Sequence, residues 1–271
     1  MKYIIILISV FYISICEGAD LTIHALLLSD DTPDSGLREE VHIDINKVRK
    51  LLTTVSKQTK LGLKLTVLQG ENATFSKITG WIDSLPQSSK NIIFVYFAGH
   101  GFRPPLLSDQ WPYLVLPDRS KPINSNWLAE KLENKRARLS ILLSDCCNIT
   151  DERFISKRWK GARREESLPG LKKLFLEATG SIIGSAASPG EFAFCSLKQG
   201  GIFTDYLLSS LYRACQKKSP SWREVFLQTR SLCSPLQTPI FLLKNPRKEK
   251  REPNGQGNER AKRSCHDNSK R

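Results

Sequence analysis

Two patterns of hydrophobic and polar positions alternate along the chain. In the first pattern a short, mostly apolar run fits a buried strand, and such runs occupy residues 21–28, 63–68, 91–98, 113–116, 139–143, 181–187 and 239–243. In the second, apolar side chains recur every three or four positions, as on one face of a helix, and these segments occupy residues 41–55, 75–85, 127–132, 168–178, 203–214 and 222–232. Strands that alternate with helices predict an α/β fold, with a mostly parallel open sheet of about six strands flanked by helices on both faces.

The first residues have the layout of a secretory signal. Lys2 precedes a stretch of thirteen residues that is apolar apart from two serines, and a polar turn ending in Gly18 follows it. A helix needs about 20 apolar residues to cross a membrane, so this stretch is too short for a spanning anchor. We predict a signal peptide over residues 1–18 and a secreted or periplasmic protein with no stable membrane span once the signal is removed. Retention of the segment, or a lipid on Cys16, is the alternative.

The positive charge of the chain is concentrated at its carboxyl end. Lys and Arg number 41 against 27 Asp and Glu, for a net charge of +14, and residues 244–271 alone hold ten basic and four acidic residues, a net +6. Because this segment has almost nothing apolar to bury, we predict a basic disordered tail over residues 244–271, behind a single globular domain over residues 19–243. An anionic partner suits such a tail, a solvated tail without a partner is the alternative, and nucleic acid is not expected.

Six cysteines follow residue 18, and their spacing indicates individual roles. The chain has no Cys-x-x-Cys motif, no spacing typical of a small disulfide scaffold and no accompanying cluster of histidines. We therefore predict neither a metal site nor another cofactor. Some of these cysteines would be able to pair with one another in an oxidising compartment.

Two of the predicted strands end in residues that can do chemistry. Residues 91–98 lead into a Gly-His-Gly segment centred on His100, and residues 139–143 lead into a Ser-Asp-Cys-Cys-Asn segment. Ligands of an open parallel sheet bind beyond the carboxyl ends of its strands. If the two strands are neighbours, an imidazole and a thiol meet there as a general base and a nucleophile. The backbone N–H groups of Gly101 and Cys147 are then the candidate oxyanion hole.

These two segments resemble those of the caspase and metacaspase superfamily. The sequence YFAGHG at residues 96–101 carries His100, and Cys147 follows 47 residues after that histidine, similar to the spacing of about 50 residues in caspases. The Asp-Cys-Cys segment at residues 145–147 resembles the Asp-x-Cys block of metacaspases, which places the nucleophile at Cys147 rather than at Cys146. The resemblance implies a cysteine-type endopeptidase with a His-Cys dyad.

Two downstream segments extend the resemblance over residues 21–243. Residues 185–191 resemble the substrate-pocket strand and loop of the family, and residues 200–204 resemble the start of the helix that follows. A departure lies directly after the nucleophile, where metacaspases usually have His-Ser-Gly and this chain has Asn-Ile-Thr at residues 148–150. This departure leaves open a second hypothesis, a catalytically inactive caspase-fold binding module that recruits an anionic partner through its basic surface and tail.

The resemblance also implies where the substrate side chain binds. Asp145, two residues before the nucleophile, and Asp44 resemble the pocket acids of metacaspases, which select Arg or Lys before the scissile bond, and Ser185 begins the pocket strand. From the residues alone, Asp44 suits a helix N-terminal cap equally well. Asp145 is also suited to a hydrogen bond that orders the nucleophile loop.

An enzyme with this preference would be able to cut itself. The highly charged segment 151–166 is typical of an exposed loop, and it holds Arg158, Arg163 and Arg164 as candidate self-cleavage sites. Peptide or protein substrates are the expected partners. Calcium activation, which many metacaspases show, has no support in the sequence, and the sequence leaves the oligomeric state open.

Overall fold

The structure is a computed structural model that describes residues 21–106, 108–118, 121–150 and 168–245. In chain order its elements are β1 (Thr22–Ser29), α1 (Arg38–Thr59), β2 (Gly62–Gln69), α2 (Phe75–Ser84), β3 (Ile92–Ala98), β4 (Gly101–Phe102), β5 (Tyr113–Leu114), β6 (Ile123–Asn124), α3 (Ser125–Glu133), β7 (Leu139–Asp145), β8 (Gly180–Ser185), β9 (Cys195–Ser196), β10 (Gly200–Gly201), α4 (Ile202–Cys215), α5 (Trp222–Cys233) and β11 (Ile240–Lys244). Short 3-10 helices at Pro33–Ser35 and Gly70–Asn72 and a π-helical turn at Lys172–Glu177 lie between them.

A six-stranded sheet forms the centre of the protein, in the order β11-β8-β7-β3-β1-β2. Neighbouring strands are parallel except for β11, which runs antiparallel to β8. The inner strands β3 and β7 are buried along their whole length. This burial explains their apolar runs, because a strand that is covered on both faces needs apolar side chains on both. The predicted α/β class, with about six mostly parallel strands, is confirmed.

Helices cover both faces of this sheet. One face packs against α1, α4 and α5 in a cluster that includes Ile45 and Phe203, and the other packs against α2 and α3 in a cluster that includes Ile78. Strand β3 contributes Phe94 to the first cluster and Phe97 to the second. This division follows from the alternation of side chains along a strand.

The structure differs in detail from two of the predicted helices. Residues 168–178 are predicted to be helical, and the helix found there is the shorter π-helical turn Lys172–Glu177. Helix α1 begins at Arg38, well before the predicted start, because its first turn is polar and carries no apolar periodicity. Asp44 therefore lies in the second turn of α1, and its interpretation as the cap of that helix is wrong.

Two small sheets near the carboxyl edge of the main sheet were mostly missed. β4, β5 and β6 form a three-stranded antiparallel sheet directly after His100, and β9 and β10 form a hairpin before α4. Only β5 has a counterpart among the predicted strands. The others have two residues each, which is too short to show a periodic pattern.

Several predictions fall on residues outside the described part of the chain. These are the signal peptide, nearly all of the basic tail, and the candidate self-cleavage sites Arg158, Arg163 and Arg164. None of the helices in the described ranges has the length and apolar content of a membrane-spanning segment. The five cysteines in those ranges are free thiols. The secreted location, the tail and the self-cleavage sites stay predictions.

Candidate active site

The register of two central strands brings His100 and Cys147 to one place. Ala98 and Asp145 are partners in the parallel pair β3–β7, so each of the two candidate residues lies two positions beyond a paired residue. The Gly99 N–H donates to the Asp145 carbonyl at 3.2 Å, which continues the pairing past the end of β3. The imidazole and the thiol line the same cavity.

A glycine is required where the histidine and cysteine segments touch. A Cβ atom on Gly101 would lie 2.5 Å from Cys146 Sγ and 2.7 Å from the Cys147 carbonyl oxygen. Cβ atoms do not approach other atoms so closely, and any side chain at this position would push the two segments apart. Gly101, the candidate oxyanion-hole residue, thus lies directly against the nucleophile loop.

A backbone carbonyl of the 3-10 helix Pro33–Ser35 holds the imidazole of His100. Its Nε2 lies 2.8 Å from the Ser35 carbonyl oxygen, and because a carbonyl only accepts, Nε2 carries the hydrogen of this bond. In the neutral ring Nδ1 is then unprotonated, which is the form that a general base needs. Ser35 is fixed in turn, since its Oγ donates to the Thr32 carbonyl at 2.8 Å and accepts from the Leu37 N–H at 3.2 Å.

Cys147 is the more accessible of the two adjacent cysteines. It is partly exposed, whereas Cys146 is only 2% exposed and packs in the core. The Ala193 N–H donates to Cys147 Sγ at 3.4 Å. Burial raises the pKa of the Cys147 thiol, and the hydrogen bond from Ala193 opposes this effect. Burial, together with the charge of Asp145, thus favours the neutral thiol over the thiolate.

Asp145 ties the nucleophile segment to the start of α4. Gly201, at the N-cap position of this helix, has no side chain that could accept a hydrogen bond. Asp145 takes that role from β7, since its Oδ2 accepts from the Thr204 N–H at 3.0 Å and from Thr204 Oγ1 at 2.7 Å. Burial raises the pKa of Asp145 to about 6, although the bonds from Thr204 and the charge of Lys47 favour the ionised form.

Asp44 faces the same helix end from α1. Its Oδ2 accepts from the Gly201 N–H at 2.8 Å. Its Oδ1 is buried and has no hydrogen-bond partner among the described residues. Burial, and after it the charge of Asp145, raises the pKa of Asp44 well above its usual range. Side chains at Gly200 or Gly201 would collide with these carboxylates.

A third acid and a third cysteine extend the wall of the cavity. Glu40 and Cys195 both line it, and Glu40 is only 4% exposed. Burial, followed by the charges of Glu40, Asp145 and Asp44, raises the pKa of the Cys195 thiol. Neither residue was predicted from the sequence to belong to the site. For Glu40 a signal existed, because it lies four positions before Asp44 on one helical face.

Lys47 connects the acidic wall to the β9–β10 hairpin. Its Nζ donates to the Gln199 carbonyl at 2.6 Å and to Asp205 Oδ1 at 2.5 Å. The positive charge also lowers the pKa of Asp44 and Asp145, against the larger effect of burial. Lys47 therefore holds the hairpin in place and offsets part of the negative charge in the cavity.

Ser185 and Asn148, the residue at which the chain departs from the metacaspase pattern, are not among the residues that line the cavity. Ser185 is fully buried in β8. Asn148 is also fully buried, and its Nδ2 donates to the Gln110 carbonyl at 2.9 Å and the Ala187 carbonyl at 3.2 Å. The asparagine thus ties the nucleophile loop to two neighbouring segments.

The described residues contain no group of three or more His, Cys, Asp or Glu side chains arranged to hold a metal ion. The cavity combines a thiol, an imidazole whose tautomer is set by a carbonyl, and buried carboxylates. These groups can support acyl transfer to sulfur and the binding of a cationic side chain.

Comparisons with known proteins agree with this architecture. A protein of Geobacter sulfurreducens has a crystal structure that matches with a TM-score of 0.53 and 16% identity, covering 83% of this chain and 94% of that chain. At this identity the likeness concerns the fold alone. A search of curated proteins found no match. The sequence model of the caspase domain matches residues 24–258, which is most of the chain. The protein therefore belongs to the caspase-domain family of cysteine peptidases.

Proposed function

We propose that the protein is a cysteine endopeptidase that cleaves peptide bonds after Arg or Lys through Cys147 and His100. The observation that carries this proposal is that a partly exposed thiol and an imidazole line the same cavity as buried carboxylates. The first two groups supply a nucleophile and a base, and the carboxylates supply partners for a basic side chain. Membership of the caspase-domain family supports the same class of reaction.

Acylation begins from the neutral thiol. His100 Nδ1 takes the proton of Cys147 as the sulfur attacks the carbonyl carbon of the scissile bond. The C=O π electrons move onto oxygen, whose negative charge is stabilised by the backbone N–H groups of Gly101 and Cys147. Collapse of this intermediate re-forms the carbonyl and breaks the C–N bond, and the imidazolium gives its proton to the departing amine. A thioester on Cys147 remains.

Hydrolysis repeats these steps with water. His100 takes a proton from a water molecule as the water oxygen attacks the thioester carbonyl carbon. The C–S bond then breaks, the departing sulfur regains a proton from the imidazolium, and a carboxylic acid is released. The carbonyl of Ser35 supports both halves of the cycle, because it accepts the hydrogen bond of Nε2 and so stabilises the positive imidazolium.

The preference for Arg or Lys rests on Asp44 and Asp145. Both carboxylates line the cavity that holds the thiol, and Asp44 Oδ1 is a buried acceptor without a partner among the described residues. A cationic side chain from the substrate would give this oxygen a donor and offset the repulsion between the two acids. An acidic side chain would instead add to that repulsion.

Self-cleavage follows from the same preference. Arg158, Arg163 and Arg164 lie in the charged segment that comes soon after the nucleophile, and they are the proposed cut sites. Cleavage within residues 151–166 of the wild type but not of Cys147→Ala would support this part of the proposal. An uncut segment in both proteins, while added peptides are cleaved, would remove it.

The deciding experiment measures cleavage of fluorogenic peptides that end in Arg, Lys or Asp. The wild type is compared with Cys147→Ala and His100→Ala, with and without reductant and calcium. We expect cleavage after Arg or Lys that is lost in both variants. Cleavage after Asp would overturn the pocket assignment. If no peptide is cleaved under any condition, the inactive binding module becomes the better interpretation, and salt-sensitive binding of an anionic ligand would support it.

A further inference from the structure

Glu40 is a buried acid in the cavity wall that has no role in the reaction above. It is 4% exposed, lines the cavity and lies one helical turn before Asp44 on α1. Side chains four residues apart on a helix share a face, so the two carboxylates face the same space. After burial, the charge of Glu40 has the largest effect in raising the pKa of Cys195, ahead of the charges of Asp145 and Asp44.

Neither a helix-capping bond nor an ion pair accounts for Glu40. Such an acid often accepts from the N–H of the N-cap residue, but the Leu37 N–H already donates to Ser35 Oγ at 3.2 Å. Lys47, a cation of the same helix, is paired with Asp205. No ion pair of Glu40 is found within the described part of the chain. Because Glu40 lines the cavity, its carboxylate is placed to accept hydrogen bonds from a cationic ligand there.

Asp44 gives an independent indication that a ligand belongs here. The side chain is in the cavity wall and the residue is 2% exposed. Its Oδ2 is used by the Gly201 N–H, but its Oδ1 has no partner among the described residues. A buried acceptor without a donor is rare in folded proteins and indicates a missing partner. Glu40 and Asp44 thus offer acceptors on adjacent turns of one helix.

We propose that Glu40 is a specificity-determining residue that binds the guanidinium group of a substrate Arg together with Asp44, and so favours Arg over Lys. This inference rests on the proposed peptidase function and narrows its substrate side chain. A guanidinium group has five N–H donors in a rigid plane, whereas an ammonium group has three on one atom. The cavity offers carboxylate acceptors from Glu40 and Asp44 on α1 and from Asp145 on β7. An Arg side chain can therefore form more hydrogen bonds with them than a Lys side chain can.

The kinetic test compares two variants, each of which removes one negative charge from the same turn of α1. Glu40→Gln acts inside the cavity, and Glu39→Gln makes the same change on an exposed residue of the same helical turn. We expect Glu40→Gln to lower kcat/KM for an Arg peptide about tenfold, chiefly through KM, with a smaller effect on the matched Lys peptide. Glu39→Gln should change neither, and Glu40→Asp should restore part of the loss. An unchanged Arg-to-Lys ratio in Glu40→Gln would contradict the inference.

A binding test separates this inference from the proposed reaction. Calorimetry with Nα-acetyl-arginine amide and Nα-acetyl-lysine amide is done on the full chain carrying Cys147→Ala, with and without Glu40→Gln. Tighter binding of the arginine compound that depends on Glu40 supports the inference even if no peptide is cleaved, in which case only the catalytic proposal fails. Cleavage after Arg combined with Glu40-independent binding overturns the inference alone. Binding of neither compound overturns it together with the acidic pocket.

Discussion

Burial of the carboxylates in the cavity makes folding less favourable, and a bound cationic substrate would reduce this effect. Asp44 and Asp145 sit at the amino end of α4, where backbone N–H groups favour negative charge. Burial nevertheless raises the pKa of both side chains, and the charge of Asp145 adds to the effect on Asp44. Without a bound cation, burial therefore favours the protonated form of Asp44, whereas Asp145 gains a proton only below about pH 6. A cationic ligand would favour the ionised forms and release protons.

Asp44→Asn should stabilise the protein at neutral pH. Because folding raises the pKa of Asp44, its contribution to stability is fully present below the usual Asp value of 3.8 and is lost as the pH rises towards the folded pKa. Asparagine does not titrate and its Oδ1 can still accept from Gly201. We expect the variant to have a higher free energy of unfolding than the wild type at pH 8. This difference between variant and wild type should be at least about 1 kcal/mol larger at pH 8 than at pH 4.

Urea denaturation at the two pH values measures this difference. The Glu39→Gln variant, which changes an exposed acid of the same helix, serves as the control and should show little pH dependence relative to the wild type. A gain for Asp44→Asn that is equal at both pH values, or a loss that grows with pH, would contradict the raised pKa of Asp44.

The binding of Arg peptides should weaken in mild acid. Asp145 has a pKa raised to about 6 by burial. Below that pH it gains a proton and the cavity loses negative charge, so KM for an Arg peptide should rise as the pH falls from 7 to 5. Binding of Nα-acetyl-arginine amide to Cys147→Ala, followed over the same range, excludes effects on the chemical step. Affinity that stays constant from pH 7 to pH 5 would remove Asp145 from the pocket.

The turn between β3 and β4 packs directly against the nucleophile loop, so the position of each segment depends on the other. Gly101 has no room for a side chain, because a Cβ would meet Cys146 Sγ and the Cys147 carbonyl oxygen. Gly101→Ala should therefore displace His100 from Cys147 and lower kcat by at least about tenfold, since small misplacements of reacting groups are costly. Peptide cleavage and circular dichroism measure activity and folding separately.

Gly80→Ala is the matched control for this substitution. Gly80 lies in α2 with nothing within 4 Å of an added Cβ, and alanine in a helix is more favourable than glycine by about 0.5–1 kcal/mol. The control should raise the melting temperature slightly and leave cleavage unchanged. If Gly101→Ala behaves like Gly80→Ala, the close approach of the two segments has no catalytic role.

Elements with a clear period were predicted well, and those without one were missed. The six strands of the main sheet and helices α1 to α5 have apolar runs or spacings that local physics can interpret. The two-residue strands β9 and β10 exist because Lys47 holds Gln199 and because Asp44 accepts from Gly201. These contacts come from α1, which is far away in sequence, so the local sequence of β9 and β10 does not predict them.

The charge of the whole molecule leads to a prediction about its carboxyl end. All described helices and strands end by Lys244, whereas residues 244–271 carry a net charge of +6 within the +14 of the chain. Removal of residues 246–271 should leave the melting temperature and peptide cleavage unchanged and should weaken binding to phosphatidylserine vesicles at low salt. Vesicle co-sedimentation and thermal unfolding test this. A lower melting temperature in the truncated protein would show that the segment contributes to the fold.

The order of strands and helices, the fold class and the two segments that carry His100 and Cys147 follow from the residues in sequence, because periodic burial and strand ends are local properties. The packed molecule adds the contacts between distant segments. Ser35 orients His100 across 65 residues, and Ala193 contacts Cys147 across 46. Ser185, although its segment resembles the family, is not among the residues that line the cavity. These contacts depend on strand register and on the way α1 packs against α4, which are properties of the assembled core and not of any single segment.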